Sequence, residues 1–282
     1  MLYTMNDLLK KADEHNFGMG AFNFANAETL LAIFEASQEQ GMDAMLIGSA
    51  EENLSFGLKK WVELVEFMAR DFDLRVCLHL DHCTDIEYIT ACLKAGVRSV
   101  MYDGSFLPYE ENIRNTAEVV RRAADFGATV EGEIGHIGRC DDLVFEGTDT
   151  KYNTLTDPRE AREFVDATGV DAIAVSIGNA HGLSRALPVL DFELLERIVA
   201  AIDGRARTVL HGGSGIPADQ LRRAVNLGIR KVNVASEIGR AYVSTLSRVS
   251  ENEWWGHGVT AAKAAVKEVV LRWIRDLSQD RR

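Results

Sequence analysis

The sequence predicts an α/β protein, a (β/α)8 TIM barrel with extra N-terminal and C-terminal helices, forming one domain over residues 1–282. Three observations predict it. Eight short apolar segments alternate with helix-length amphipathic ones. Those amphipathic segments repeatedly stop on glycine, at Gly41, Gly96, Gly127, Gly169 and Gly228. Ionisable or glycine-rich groups follow most of the apolar segments rather than gathering at one crevice. Strand–helix alternation builds a parallel sheet with right-handed crossovers, and eight units in about 250 residues match a closed barrel. An open doubly wound sheet is the runner-up, but the first strand–helix turn, AFNFAN, lacks the GxGxxG that would support it.

The elements follow in order. Residues 1–18 read as a polar amphipathic helix with no apolar signal core, and no later stretch approaches a membrane span. A strand is predicted over Gly18 to Asn23, then a helix from Asn26 to Gln40 with Leu30, Leu31, Ile33 and Phe34 on its apolar side. Asp43 to Gly48 is the second strand, Leu58 to Arg70 a helix, and Arg75 to His82 the third strand. There Val76, Leu78 and Leu80 alternate with Cys77, His79 and Asp81, a period of two. On a regular strand Asp81 and His82 face opposite sides, unless the chain already bends. Next come a helix over Asp85–Ala95, a strand over Ser99–Asp103, a helix over Glu110–Phe126 and a strand over Ala128–Ile134. Asp157 reads as the N-cap of a helix opened by Pro158 and running to Thr168. Strands are predicted at Ala172–Ile177, Thr208–Leu210 and Lys231–Val234, and helices at Phe192–Ile202, Pro217–Leu227, Glu237–Val249 and Thr260–Leu277. The connection from Gly135 to Asp157 is out of scale and reads as a lid. It follows a strand, so it lies on the face where barrels carry their sites.

Composition excludes some functions. With 46% hydrophobic content and four prolines the chain suits a packed globular protein. A net charge of -12 argues against a nucleic-acid surface, though not against a small anionic substrate. Cys77, Cys83, Cys92 and Cys140 form no CxxC pair in a chain too large to need disulfides, so a reduced, cytoplasmic setting is expected. Cys83 reads as a small buried filler rather than a ligand. Trp254 and Trp255 read as core packing in preference to a cover for a partner subunit or the pocket.

The chemistry lies just past the strands. Of the seven histidines, His82, His181 and His211 follow strands three, six and seven, which barrel closure gathers round one mouth. One histidine there could simply cap loop carbonyls. Three on one rim beside carboxylates instead suggest a catalytic zinc site with an open fourth position. After strand seven, His211 to Gly215 reads HGGSG and Pro217 opens a helix, so the glycines offer bare N–H groups as an anion cradle. Strand eight carries Asn233 and Ser236, and barrels commonly bind phosphate with the loops after strands seven and eight. None of the lysines sits at the carboxyl end of a predicted strand. Lys231 starts strand eight, on the wrong face, which disfavours chemistry through a lysine imine.

The motifs HLDHC, MYDGS, EGEIG, NAHG, LHGGSG and KVNVASE, in this order from Ala21 to about Val270, resemble those of class II, zinc-dependent ketose-bisphosphate aldolases. The likeness is to the shorter members that cleave tagatose- or fructose-1,6-bisphosphate. The resemblance implies that His82, His181 and His211 hold one Zn2+, with Glu133 and Asp103 as partners of those ligands or alternative metal positions. It implies that Asp81 transfers the proton at the bond being broken. Gly182, Gly212, Gly213, Ser214, Asn233, Ala235 and Ser236 would surround the phosphate of the dihydroxyacetone-phosphate half, with Asn23 touching it and Ser49 near it. Carbonyls near Gly182 and Ser214 would hold a monovalent cation, Na+ or K+. A homodimer or homotetramer is implied.

Cleaving C3–C4 of a ketose phosphate leaves a carbanion beside a carbonyl, a charge that zinc offsets as a Lewis acid without a Schiff base. The C4 hydroxyl proton goes to Asp81. A second acid must return a proton, and the lid is its natural source. The family usually has GG-x-Glu-Asp there. This chain reads GRCDD, so Asp141 takes the acidic place and Arg139 replaces a glycine. No arginine stands between Arg248 and Arg272 to meet a distal phosphate. Three alternatives therefore stay open: an inositol-pathway type of class II aldolase with a keto-acid product, a zinc hydrolase using the same histidines, and a non-catalytic sugar-phosphate binder.

Overall fold

The computed structural model describes residues 2–50, 57–138, 154–182, 189–250 and 254–278. Its strands are β1 (Met19–Asn23), β2 (Ala44–Ser49), β3 (Val76–Cys83), β4 (Ser99–Tyr102), β5 (Thr129–Ile134), β6 (Ala172–Val175), β7 (Arg207–Leu210) and β8 (Ile229–Val234). They close in sequence order, each parallel to the next, with β1 pairing β8. The predicted barrel is therefore present. Between the strands run α2 (Ala27–Glu39), α3 (Leu58–Ala69), α4 (Ile86–Ala95), α5 (Tyr109–Ala124), α6 (Pro158–Thr168), α7 (Phe192–Ile202) and α8 (Ala218–Leu227). Before them lies α1 (Met5–His15), and after them α9 (Ser236–Leu246) and α10 (Trp255–Ser278).

Strand parity sorts the chain into two cores. Phe22, Leu46, Leu78, Val100 and Val232 face the helices. Met19, Ala21, Met45, Ile47, Cys77, Met101, Ala174 and Val209 face the barrel interior, where Met5, Leu8, Leu9 and Ala12 of α1 plug the lower end. Every inward position at the upper strand ends is thus free to be polar, supported by packing from below. Among the described residues no helix is long and apolar enough to cross a membrane.

Helix α10 departs from expectation, beginning at Trp255 rather than at Thr260. Gly256 and Gly258 lower the helix propensity of that stretch. Yet a Cβ on Gly258 would sit 2.2 Å from Val249 Cγ2, so glycine there lets α10 pack tightly against the end of the preceding segment. Trp254 and Trp255 are not core residues. They are 62% and 64% exposed, with their rings tilted against each other at 5.3 Å. Cys83 is buried on the outer side of the barrel and donates to Asp85 O, as a filler would. Lys231 does not start its strand. It is the third residue of β8 and lies fully buried inside the barrel.

Candidate active site

The upper end of β3 makes the site possible. Cys77, His79 and Asp81 take the inward parity, and unbroken alternation would turn His82 outward. His82 instead has φ 43°, and the pairing with β4 slips between Leu80 and Cys83. Such a bulge re-aims one side chain at a cost of about 1–3 kcal/mol in backbone strain. Asp81 and His82 consequently both enter the mouth. Asp81 pairs in register with Ser49 at the end of β2, and Asn23 ends β1 on the same inward parity.

The three histidines converge. His82 Nε2 lies 3.1 Å from His181 Nε2 and 2.8 Å from His211 Nδ1. The outer nitrogen of each ring has its own acceptor. His82 Nδ1 is 2.8 Å from Asp103 Oδ2, His181 Nδ1 is 3.3 Å from Ile137 O, and His211 Nε2 is 2.7 Å from Glu131 Oε1. Each acceptor calls for a proton on the outer nitrogen and so turns a lone pair inward. Three lone pairs aimed at one point repel unless a cation sits among them. The donor set, three imidazoles with orienting acceptors, fits zinc. Asp103 and Glu133 form a second such grouping with His82. Glu133 is buried with Oε2 unpartnered, while Asp103 also accepts from Ser105.

Electrostatics agree with this reading. Burial opposes charge on all three rings. At His82 the carboxylates of Asp81, Asp103 and Glu133 outweigh it and lift the pKa to about 10. Burial and the charge on His82 push His181 down to about 4, and the same two causes, in the same order, take His211 well below the usual range. Burial, then the neighbouring Asp103, raises Glu133 well above the carboxylate range. Without metal, His82 therefore favours the imidazolium form, one proton more than the neutral ring that a metal binds. Zinc uptake near neutral pH is expected to release about one proton, and raising the pH is expected to tighten binding by up to about tenfold per unit below the His82 pKa. Calorimetry in buffers of different ionisation enthalpy checks this; uptake without proton release contradicts it.

Asp81 is held from the other side. Asn233 Nδ2 donates to both its oxygens, at 3.0 and 3.1 Å, and Asn233 Oδ1 is buried without a partner. The HGGSG turn is pinned by geometry only glycine supplies. Gly212 has φ +64°, and a Cβ there would lie 2.1 Å from Ala180 O. This close approach brings the His211 and His181 loops together, and Asn179 Nδ2 ties them by donating to His211 O at 3.0 Å. The expected row of bare glycine N–H groups is only partly present. Gly213 N donates to Asn233 O and Gly215 N to Glu237 Oε1. Ser214 Oγ accepts from Glu237 N, Ala235 caps α9, and Ser236 opens it beside the turn. Gly182 follows His181 with φ +99°. Asp141, Arg139 and Cys140 lie outside the described residues. A separate cleft of about 430 Å³ at the lower end of the barrel is lined by Arg207 and Arg230, both already paired with Asp13.

Sequence reasoning passed over Glu131 and Lys231 as parts of the site. Glu131 shares the inward parity of Glu133, and that parity was the available signal.

The closed parallel barrel carries metal-ready histidines and a carboxylate at its strand ends, and comparison with known proteins shows the family to which the chain belongs. The family model for class II fructose-bisphosphate aldolase matches residues 3–282. These are zinc-dependent lyases, so the protein is an aldolase-family enzyme. It is 37% identical over 277 residues to the D-tagatose-1,6-bisphosphate aldolase subunit GatY of Klebsiella oxytoca, a match covering 97% of this chain and 96% of that one. It is similar in structure to the YdjI aldolase from Escherichia coli K12, with TM-score 0.86 and 30% identity over 98% of this chain and 97% of that one. It also shares its fold with the fructose-bisphosphate aldolase of Campylobacter jejuni, with TM-score 0.79 and 18% identity over 98% and 95% of the two chains.

Proposed function

We propose that the protein cleaves a ketose 1,6-bisphosphate, of fructose or tagatose type, reversibly into dihydroxyacetone phosphate and an aldehyde such as glyceraldehyde 3-phosphate. The observation that carries this is the trio of inward imidazole nitrogens, each ring oriented from behind, beside the carboxylate of Asp81. His82, His181 and His211 would hold one zinc ion, with Asp103 and Glu133 beside them. When bound, a divalent ion there acts as a Lewis acid toward the substrate oxygens. Asp81 accepts the C4 hydroxyl proton as the aldehyde leaves, its carboxylate aimed by Asn233. Gly182, Gly212, Gly213, Ser214, Ala235 and Ser236 enclose the near phosphate at the N-terminus of α9, where the helix dipole favours an anion. Asn23 and Ser49 line the same half. Carbonyls near Gly182 and Ser214 suit a monovalent cation. Asp141 is assigned the second proton transfer on sequence alone. A single-domain, cytoplasmic homodimer or homotetramer completes the reading.

A second reading concerns the aldehyde half. Among the described residues the connections that follow the strands contain no Lys or Arg. An aldehyde or keto-acid half without phosphate would need none. The test is to incubate the enzyme with fructose- and tagatose-1,6-bisphosphate and with ketose 1-phosphates, with and without chelator, and to assay triose phosphate. Release that a chelator abolishes is expected. Chelator-insensitive release, or phosphate release without triose, contradicts the proposal.

A further inference from the structure

Below the histidines lies a buried ion pair that the aldol chemistry itself does not call for. Lys231 Nζ donates to Glu131 Oε2 at 2.9 Å, and both side chains are fully buried inside the barrel. The other Glu131 oxygen accepts from His211 Nε2 at 2.7 Å. His211 Nδ1 then faces His82 Nε2 at 2.8 Å. An ammonium, a carboxylate and an imidazole thus stand in line, ending at the point where the three lone pairs meet.

Burying two charges is costly, and a well-packed apolar pair would serve a purely structural interior as well or better. What an apolar pair cannot do is orient an imidazole. We infer that Lys231 is a positioning residue for metal capture. By holding Glu131 Oε2 it fixes the carboxylate in the rotamer that sets Oε1 against His211 Nε2. That bond keeps the proton on Nε2 and the Nδ1 lone pair on the metal side. His79 occupies the same layer, with Nδ1 bonded to Ser99 Oγ and Nε2 3.8 Å from Glu131 Oε2. It offers Glu131 no hydrogen bond at that distance, so the orientation rests on Lys231.

The inference depends on the zinc reading, and the experiment separates the two. Metal-free wild type, Lys231→Met, and the double variant Lys231→Met with Glu131→Gln are titrated with Zn2+ against a chromophoric chelator. The double variant leaves no unpaired buried charge, so it is measurable even if the single variant does not fold. The His211 tautomer is read in each metal-free protein by long-range 1H–15N NMR of labelled histidines. Loosening an orienting partner costs roughly 10–100-fold in metal affinity. A loss in that range is expected in the double variant, together with a His211 signal that no longer reports a single Nε2–H form. Zinc affinity within about twofold of wild type, or an unchanged tautomer, overturns the positioning role alone. Wild type that binds no zinc overturns both readings.

Discussion

His82→Ala is expected to lose both stoichiometric zinc and turnover. The remaining nitrogens, from His181 and His211, belong to rings whose centroids are 5.7 Å apart. Two imidazoles fall short of the three protein ligands that catalytic zinc sites use. Metal-assisted charge stabilisation is worth several kcal/mol, so the rate should fall at least about 10³-fold. The loss should not come from unfolding. His82 sits at the rim and is 27% exposed, and the buried group it abandons is the Asp103 carboxylate, which keeps its Ser105 bonds. Losing one partner there costs about 1–3 kcal/mol. Metal content by atomic absorption, alongside circular dichroism and kcat, separates these effects. A folded variant with one bound zinc and near-normal kcat contradicts the assignment.

Asp81→Asn should show the opposite pattern, with metal retained and chemistry lost. Asp81 makes no contact with the inner nitrogens of the three histidines; its partner is Asn233. Zinc content should therefore equal that of wild type. General-base catalysis contributes about 10²–10⁴-fold, and kcat should fall by that amount while KM changes far less. Turnover within about tenfold of wild type would place the proton on another group.

The barrel was legible because its two periodicities are strong. Alternating Val76, Leu78 and Leu80 mark β3, and glycines that can take positive φ end α4 and α6 at Gly96 and Gly169. The three histidines were legible because each falls just after a strand, where closure must bring them together. The geometry that aims them was not. Strand parity turns His82 away from the site, and only the bulge at φ 43° reverses it. Bulges arise from pairing with a neighbouring strand, which the local sequence of β3 does not encode. The Lys231–Glu131 pair spans β8 and β5, 100 residues apart, so no local pattern links them. Lys231 read as a strand start, whereas β8 extends back to Ile229, in register with Thr208. Trp254 and Trp255 read as core because large aromatics usually are. Here they precede or open a helix whose buried face begins at Gly258.

Zinc-edge X-ray absorption of the metal-loaded protein reads the ligand shell directly. Three imidazole nitrogens at about 2.0–2.1 Å, with the remainder oxygen, are the expected result. A shell in which sulfur replaces an imidazole, or any shell with fewer than three imidazoles, would show that His82, His181 and His211 do not share a metal and would remove the basis for the aldolase site.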